Sequence, residues 1–541
     1  MVSPASLLPL VCVLAVCLRL LKAVQSRISK RKALRDVHGP VSASFLTGNL
    51  TQVINPDGLE FFDQLLAHHS GVAKLHGLCG DVMLCLSDPV ALAHILVNDP
   101  DSFPEVDLTG TTQINRFMLG PGLLTTNGPQ HRRQRKVLNP VFSSAHMRRI
   151  SPLVRGIVQQ FKDSLVAQVQ SSGCTLDIAP SLGHLALELI GRVGFGHSFH
   201  ALDGGIEGSE YVRAAKELIP ALTALGPLMA LFVATGLSSL PPRILRLAGD
   251  GTSFFIPTLH RFMAIVDTLY ATTRDIWESK KAEFAGGDAV LHEAVEEKAD
   301  LLSVLLKENV LVDERYKLLD DELLSQLNTI VLAGVETTSN ALCRTLYLLA
   351  LHPDMQERLR GEIVHAGQNL DYDALMELPF LDAVCKETLR LYAPLPYRNR
   401  IAANEAILPL SNGGVLQIPT GTEILVNCHG LNTDPAVWGS DSREWQPERW
   451  FAPLPTVEIP GVYAHSMTFL GGPKACIGFS FSILELKTTL ATLLPVFKFA
   501  PSEHHEVIWR FGPLISPSIK GEKGLHPKMP LQLQVIDPTA S

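Results

Sequence analysis

The sequence predicts a mainly α-helical fold with a small β part, and three observations lead there. Apolar residues recur at helical spacing from about residue 130 onward, with long amphipathic segments at 148–170, 255–285, 321–350 and 353–365. β-like alternation is confined to short runs: Val72–Leu86, a stretch near 405–428 and another near 505–535. With 541 residues, 46% of them hydrophobic and 18% charged, the chain holds enough apolar material for a large core and is not of a disordered composition. No internal repeat and no Gly/Ser- or Pro-rich linker divides it, so residues 36–541 are expected to form a single domain behind an N-terminal segment, 1–35.

That segment has its own character. Ala5 to Leu18 is apolar without a charge, Arg19 interrupts, and Leu20 and Leu21 follow. Lys22, Arg27, Lys30, Arg31, Lys32 and Arg35 come next. A cleaved signal peptide would carry its positive charge before the apolar run, not after it. The basic flank predicts a membrane-anchor helix whose N-terminus faces the lumen, with the rest of the chain in the cytosol. The uncharged stretch is shorter than the ~18–20 residues of a secure spanning helix, so a helix lying in the interface is the alternative. In the cytosolic orientation the sequon Asn49-Leu50-Thr51 stays unmodified. Gly39, Pro40 and Gly48 make residues 36–50 a turn-rich hinge.

The net charge of −8 gives no sign of nucleic-acid binding. The cysteines, Cys12, Cys17, Cys79, Cys85, Cys174, Cys343, Cys385, Cys428 and Cys476, show no CxxC pair and no regular spacing. That excludes a disulfide framework and a zinc site and predicts reduced core thiols.

One cysteine stands apart. Cys476 lies in Phe469-Leu-Gly-Gly-Pro-Lys-Ala-Cys-Ile-Gly478, a Gly- and Pro-rich turn just before a helical run. A lone Cys among apolar residues is ordinarily a small inert hydrophobe. Here the glycines allow close approach of the backbone to a flat group, and the N–H groups after Cys476 are placed to stabilise a thiolate. Three further stretches precede it. Ala333-Gly-Val-Glu-Thr-Thr338 sits in an apolar helical run that starts near Leu323. Gly334 in mid-helix costs about 1 kcal/mol against Ala, so something needs the space. Glu336 and Thr337 put an acid beside an alcohol, the elements of a proton relay. A glycine kink with Thr bonded back to the helix is the structural alternative. In Glu387-Thr-Leu-Arg390, Glu and Arg share a helix face, ordinarily a weak surface pair. Pro447-Glu-Arg-Trp450 supplies Arg449.

In this order and spacing the four stretches resemble those of the cytochromes P-450, and the resemblance covers roughly residues 36–535. It implies the cytochrome P-450 fold and a b-type haem held through Cys476, whose thiolate favours O–O cleavage. Phe469 and Gly478 frame the haem loop in this likeness, and His131, Arg135, Arg400 and Lys474 are matched to the haem propionates. Glu336 and Thr337 become the proton relay to bound oxygen. Glu387, Arg390 and Arg449 become a buried lock on the segment leading to the Cys loop, with a role in folding and haem retention. The implied activity inserts one oxygen atom of O2 into a lipophilic small molecule such as a terpenoid or steroid. An NADPH–cytochrome P-450 reductase on the endoplasmic reticulum membrane supplies the electrons, with Arg132, Arg133 and Lys474 as docking candidates.

Some positions depart from the family pattern. Lys474 stands where Arg or His is usual and loses the planar fork. Leu470 replaces a small or polar residue, and His131 takes the place of a Trp four residues before Arg135. The stretch 130–142 resembles fungal members, many of which tailor secondary metabolites. The expected substrate walls are the loop 101–127, the region 205–260, the helix around 327–338, the turn Leu395–Asn399 and a late turn at Phe511–Ser516. They carry Phe117, Met118, Leu119, Leu123, Leu332, Leu395, Leu514 and Ile515. Two other classes stay open: a haem-thiolate isomerase or dehydratase that needs no reductase, and a haem-binding sensor or carrier. An intact Glu336-Thr337 pair argues against the first.

Overall fold

The computed structural model describes residues 24–107, 112–202, 210–235, 237–283, 300–367, 370–512, 514–524 and 526–536. The expected anchor at residues 5–21 lies outside them. Among the described residues no helix is long and apolar enough to cross a membrane.

The helices that position the site are α1 (Gly128–Leu138), α2 (Ser144–Ser172), α3 (Ile178–Leu189), α4 (Glu210–Ala224), α5 (Pro257–Glu283), α6 (Asp320–Leu351), α7 (Pro353–Ala366), α8 (Pro379–Leu391) and α9 (Phe479–Leu493). Four of them match the expected segments to within a few residues at each end. Their ends follow from local chemistry. Ser143 caps α2, accepting a bond from the His146 N–H at 3.3 Å. Asp320, Asp321 and Glu322 complement the positive end of α6, and Glu322 accepts from the Leu319 N–H at 3.1 Å. His352-Pro353 closes α6 and opens α7 with proline at the first turn. Helix α6 runs unbroken through Gly334. Leu323, Leu327, Val331, Val335, Leu342 and Leu346 along it are buried, joining side chains of α2, α3, α8 and α9 in the main core. Burial on most sides is what its near-continuous apolar run requires.

The first sheet orders strands β1 (Val72–His76), β2 (Val82–Leu86), β7 (Glu423–Asn427) and β4 (Tyr397–Ile401). β1/β2 and β7/β4 are antiparallel, and β2/β7 is parallel. Residues 102–106 extend the sheet at the free edge of β4: Ile401 N–H donates to the Pro104 carbonyl at 3.2 Å and Ala403 N–H to Ser102 at 2.9 Å. Strands β5 (Ala406–Pro409) and β6 (Val415–Ile418) form a hairpin, as do β9 (Val507–Arg510) and β10 (Ser516–Ile519). The third sheet orders β3 (Thr175–Asp177), β11 (Pro530–Val535) and β8 (Phe497–Pro501). Strand β4 corrects the reading of Leu395–Asn399 as a turn: from Tyr397 the chain is already paired with β7.

The expected hinge at 36–50 is instead strapped to the first sheet. Lys74 N–H donates to the His38 carbonyl at 2.9 Å, and Asn49 and His76 exchange two bonds at 2.7 and 2.9 Å. Asn49 is buried and its amide donates to Val41 and Gln52, so the sequon side chain is already engaged. The basic flank joins in: Lys30 pairs with Asp81 at 3.1 Å, and Arg31 donates to the Gly80 carbonyl at 2.7 Å. The seven cysteines among the described residues are all free.

Candidate active site

Two turns fix the loop that carries Cys476. Gly472 has φ +70°, a left-handed backbone that suits glycine. A side chain there would also run into the Leu96 carbonyl. Leu470 adopts φ +56° although it carries a side chain, so the loop is strained where the family prefers a smaller residue. The loop then closes on itself, with the Cys476 N–H donating to the Phe469 carbonyl at 2.9 Å. The Phe469 ring packs edge-on against Tyr463 and tilted on Phe479, the first residue of α9.

Cys476 is open to space, yet burial raises its thiol pKa, opposed by the Gly478 N–H bond and the charges of Arg135 and Arg398. Both hold if the sulfur lines a recess inside the protein and does not stand on its outer surface. On α6, Ala333 is likewise open while Val331 and Val335 beside it are buried. Thr338 donates to Ser482 at 3.4 Å, tying α6 to α9 one turn beyond these open positions. Thr337 Oγ1 donates to the Ala333 carbonyl at 2.6 Å, the back-bonded arrangement of a helical Thr.

Packing accounts for Gly334. A Cβ there would lie 2.7 Å from Ile190 Cδ1, so the missing side chain makes room for Ile190, just past the end of α3, against α6. The small residue that faces open space is Ala333.

Glu336 borders a small cavity with Met118, Leu119, Leu218 and Leu332. Burial raises its carboxyl pKa to about 6, against the pull of Lys216 on α4. The Lys216 ammonium in turn contacts His184 Nε2 on α3. Met118, Leu119 and Leu332 were expected in the substrate wall. Of the others, Phe117 stacks on Phe262, Leu123 packs in the main core and Ile515 packs with Phe62 and Phe511 under the first sheet. Leu395 and Leu514 are half-buried and do not line this cavity.

A basic cluster stands beside the loop. Arg398 and Arg400 are two residues apart on β4 and therefore share a face. Glu105, on the extended edge segment, pairs with Arg398, with Arg400 at 3.4 Å and with Lys474 at 3.7 Å. Burial would raise the Glu105 carboxyl, but these three cations hold it well below the usual range. Lys474 also donates to the Thr126 carbonyl, and burial lowers its pKa to about 8. His131 is buried, and burial with the charges of Lys474 and Arg135 lowers its pKa to about 3, so its ring is neutral. Arg135 donates to the Ala475 carbonyl and to Asn139 at 2.9 Å, which fixes it on the backbone just before Cys476.

Two reductase-docking candidates are committed elsewhere. Arg133 is tied to Glu322 and Lys474 turns inward, which leaves Arg132 exposed and paired with Asp101 at 2.8 Å.

The structure brings Glu387, Arg390 and Arg449 together. Glu387 and Arg390 are fully buried and paired at 2.7 and 2.9 Å. Arg390 Nη1 donates to the Asn432 and Ser442 carbonyls, both at 2.7 Å. Glu387 also accepts from Arg449 at 3.3 Å, the Gln446 N–H at 3.2 Å and Trp450 Nε1 at 3.1 Å. These bonds clamp residues 432–450 onto α8. A buried pair satisfied in this way is the arrangement that tolerates full desolvation.

Glu105 and Arg398 escaped the sequence reading. Arg398-Asn399-Arg400 carries a signal, since alternate residues of a strand share a face, but the expected turn Leu395–Asn399 hides it. Nothing local marks Glu105, whose partners lie 293 to 369 residues away in sequence.

With this geometry in place, comparison with known proteins is direct. The cytochrome P-450 family model matches residues 38–518. Cytochrome P-450 monooxygenase 91 of Postia placenta is 40% identical over 96% of this chain and 97% of its own length. The ganoderic acid synthetase of Ganoderma lucidum is 37% identical over 94% and 95%. A cytochrome P-450 monooxygenase of Hericium erinaceus is 33% identical over 96% and 97%. The chain belongs to the cytochrome P-450 family and is a monooxygenase of that family.

The family implies a haem, and the residues present fit one. Arg398, Arg400 and Lys474 set three cations against the single carboxylate of Glu105, leaving two positive charges in a buried place. Arg400 Nη2 is buried without a partner among the described residues. The two propionates of a b-type haem would supply the missing anions, and an unpaired buried cation is otherwise costly. The open Cys476 sulfur with its Gly478 N–H would supply the thiolate ligand.

Proposed function

We propose that this monooxygenase inserts one oxygen atom of O2 into a lipophilic small molecule, a terpenoid, steroid or other secondary-metabolite intermediate, with electrons from an NADPH reductase. Residues 36–541 act as one catalytic domain on the cytosolic side of the endoplasmic reticulum membrane, anchored by residues 1–35. The observation that carries the substrate class is the cavity against α6. Its wall is apolar at Met118, Leu119, Leu218, Ile219 and Leu332, while Tyr211, Asn328 and Glu336 supply its polar points. The fungal relatives, one of them named for making ganoderic acid, support a small-molecule role.

Bound haem supplies dioxygen activation and electron transfer. The chain supplies the rest. Cys476 is held as ligand by the Phe469 carbonyl and the Gly478 N–H. Arg398, Arg400 and Lys474 orient the propionates. Glu336, with its carboxyl raised to about 6, takes and gives a proton near neutral pH. Thr337 Oγ1, one residue on, exchanges its bond to the Ala333 carbonyl for one to oxygen or water in the recess.

The test is reconstitution with a fungal reductase and NADPH against a panel of triterpenes, sterols and sesquiterpenes. A product one oxygen atom heavier, with hydrogen peroxide rising at the expense of product in Thr337→Ala, is the expected result. Turnover of pre-oxidised substrate without reductase, or coupling unchanged in Thr337→Ala, contradicts the assignment.

A further inference from the structure

Glu105 has no part in the chemistry above, yet it occupies the centre of the basic cluster. Its carboxylate is the counter-charge that Arg398, Arg400 and Lys474 share. Its backbone is fixed as firmly. Residues 105 and 400 are bridged as cross-strand partners, and Asn127 exchanges bonds with the Glu105 carbonyl and N–H at 2.9 and 3.3 Å. An acid so held is built in, and it sits among the side chains that a haem propionate needs.

We propose that Glu105 is an internal stand-in for a propionate: it holds Arg398, Arg400 and Lys474 in their binding positions before haem arrives, and then competes with haem for them. Glu105 is thus a positioning residue that weakens haem retention in exchange for a preformed cradle. The argument is electrostatic. Self-repulsion in a buried cluster grows with the square of its uncompensated charge. With Glu105 the empty cluster carries two surplus positive charges, and the propionates cancel both. Without it the empty cluster carries three, and the propionates leave one. Removing the carboxylate therefore destabilises the haem-free protein more than the haem-bound one, and linkage turns that difference into tighter haem binding. Arg400 Nη2, unpartnered and buried, is the group that Glu105 leaves free for the incoming anion.

The proposal rests on the haem-thiolate reading, so the experiment separates the two. Wild type, Glu105→Gln and Glu105→Asp are purified with haem, and the carbon monoxide difference spectrum of each establishes thiolate ligation first. Haem transfer to excess apomyoglobin is then timed. Glu105→Gln is expected to release haem about tenfold more slowly, the change anticipated when one full charge is removed from a site of moderate effective dielectric. Glu105→Asp, which keeps the charge on a shorter stem, is expected to fall between Gln and wild type. Release from Glu105→Gln at the wild-type rate or faster overturns the proposal, as does failure of that variant to load haem while Glu105→Asp loads it normally. If Glu105→Gln does not fold, Glu105→Asp decides: slower release than wild type supports the idea, and equal or faster release sinks it. A wild type without thiolate-ligated haem would overturn the functional assignment itself.

Discussion

Replacing Glu387 with Ala removes the acceptor of five bonds: two from Arg390 and one each from Arg449, the Gln446 N–H and Trp450 Nε1. Arg390 keeps its two carbonyl partners but becomes a fully buried cation without a counter-charge. Breaking a buried pair by removing one partner costs ~3–5 kcal/mol. The segment 444–450 loses its anchor to α8 at the same time, so the loss is expected at the upper end. The assay is urea denaturation followed by tryptophan fluorescence. Trp445 bonds to Thr388, Trp450 to Glu387, and Trp438 lies 4.7 Å from the Arg390 guanidinium, so three of the five tryptophans report on this region. A double variant, Glu387→Leu with Arg390→Met, removes both charges. It should be less destabilised than the sum of the single changes by more than about 2 kcal/mol. A Glu387→Ala protein within about 1 kcal/mol of wild type, or strict additivity in the double variant, would refute the reasoning.

Three further outcomes follow from other parts of the molecule. Product formed per NADPH consumed should change with an apparent pKa of about 6, where Glu336 exchanges its proton, and Glu336→Gln should flatten that profile. Glu485, fully enclosed on α9, has both carboxyl oxygens unpartnered among the described residues, and burial raises its pKa to about 8. Its neutral form is favoured in the fold, so the stability it contributes is complete below pH 4.5 and lost as pH rises through about 8. Glu485→Gln should therefore be more stable than wild type at pH 8, by on the order of 1–3 kcal/mol in urea titrations, and nearly equal at pH 5; the same difference at both pH values would contradict this. Gly334→Ala should cost ~1–3 kcal/mol through its clash with Ile190, and Ile190→Ala in the same chain should recover part of it.

The helices were legible because their apolar period is long and their caps are local. Helix α6 shows this, with three acids at its start and His352-Pro353 at its end. Most short strands were legible as well, within Val72–Leu86, 405–428 and 505–535, but β4 was not. β4 carries alternating Arg398 and Arg400 where a strand of the first sheet would show apolar residues, because that face serves a buried carboxylate and not a hydrophobic core. Cys476, Glu387, Arg390 and Arg449 stood out because each sits in a compact motif, and the structure pairs the last three. Gly334 was legible in part: sequence shows that a side chain is missing, but only packing shows that Ile190 takes the space. Two of the three docking candidates are engaged inside the protein for a related reason. Arg133 and Lys474 read as surface charge, whereas their partners Glu322 and Glu105 come from distant segments that fold against them.

The central claim is that Cys476 binds haem iron as a thiolate, and the carbon monoxide difference spectrum of the reduced protein in membranes tests it most directly. The account predicts a strongly red-shifted Soret band in wild type and loss of haem in Cys476→Ala. A band at the position of histidine- or thiol-ligated haem, obtained repeatedly from intact wild-type protein, would contradict it.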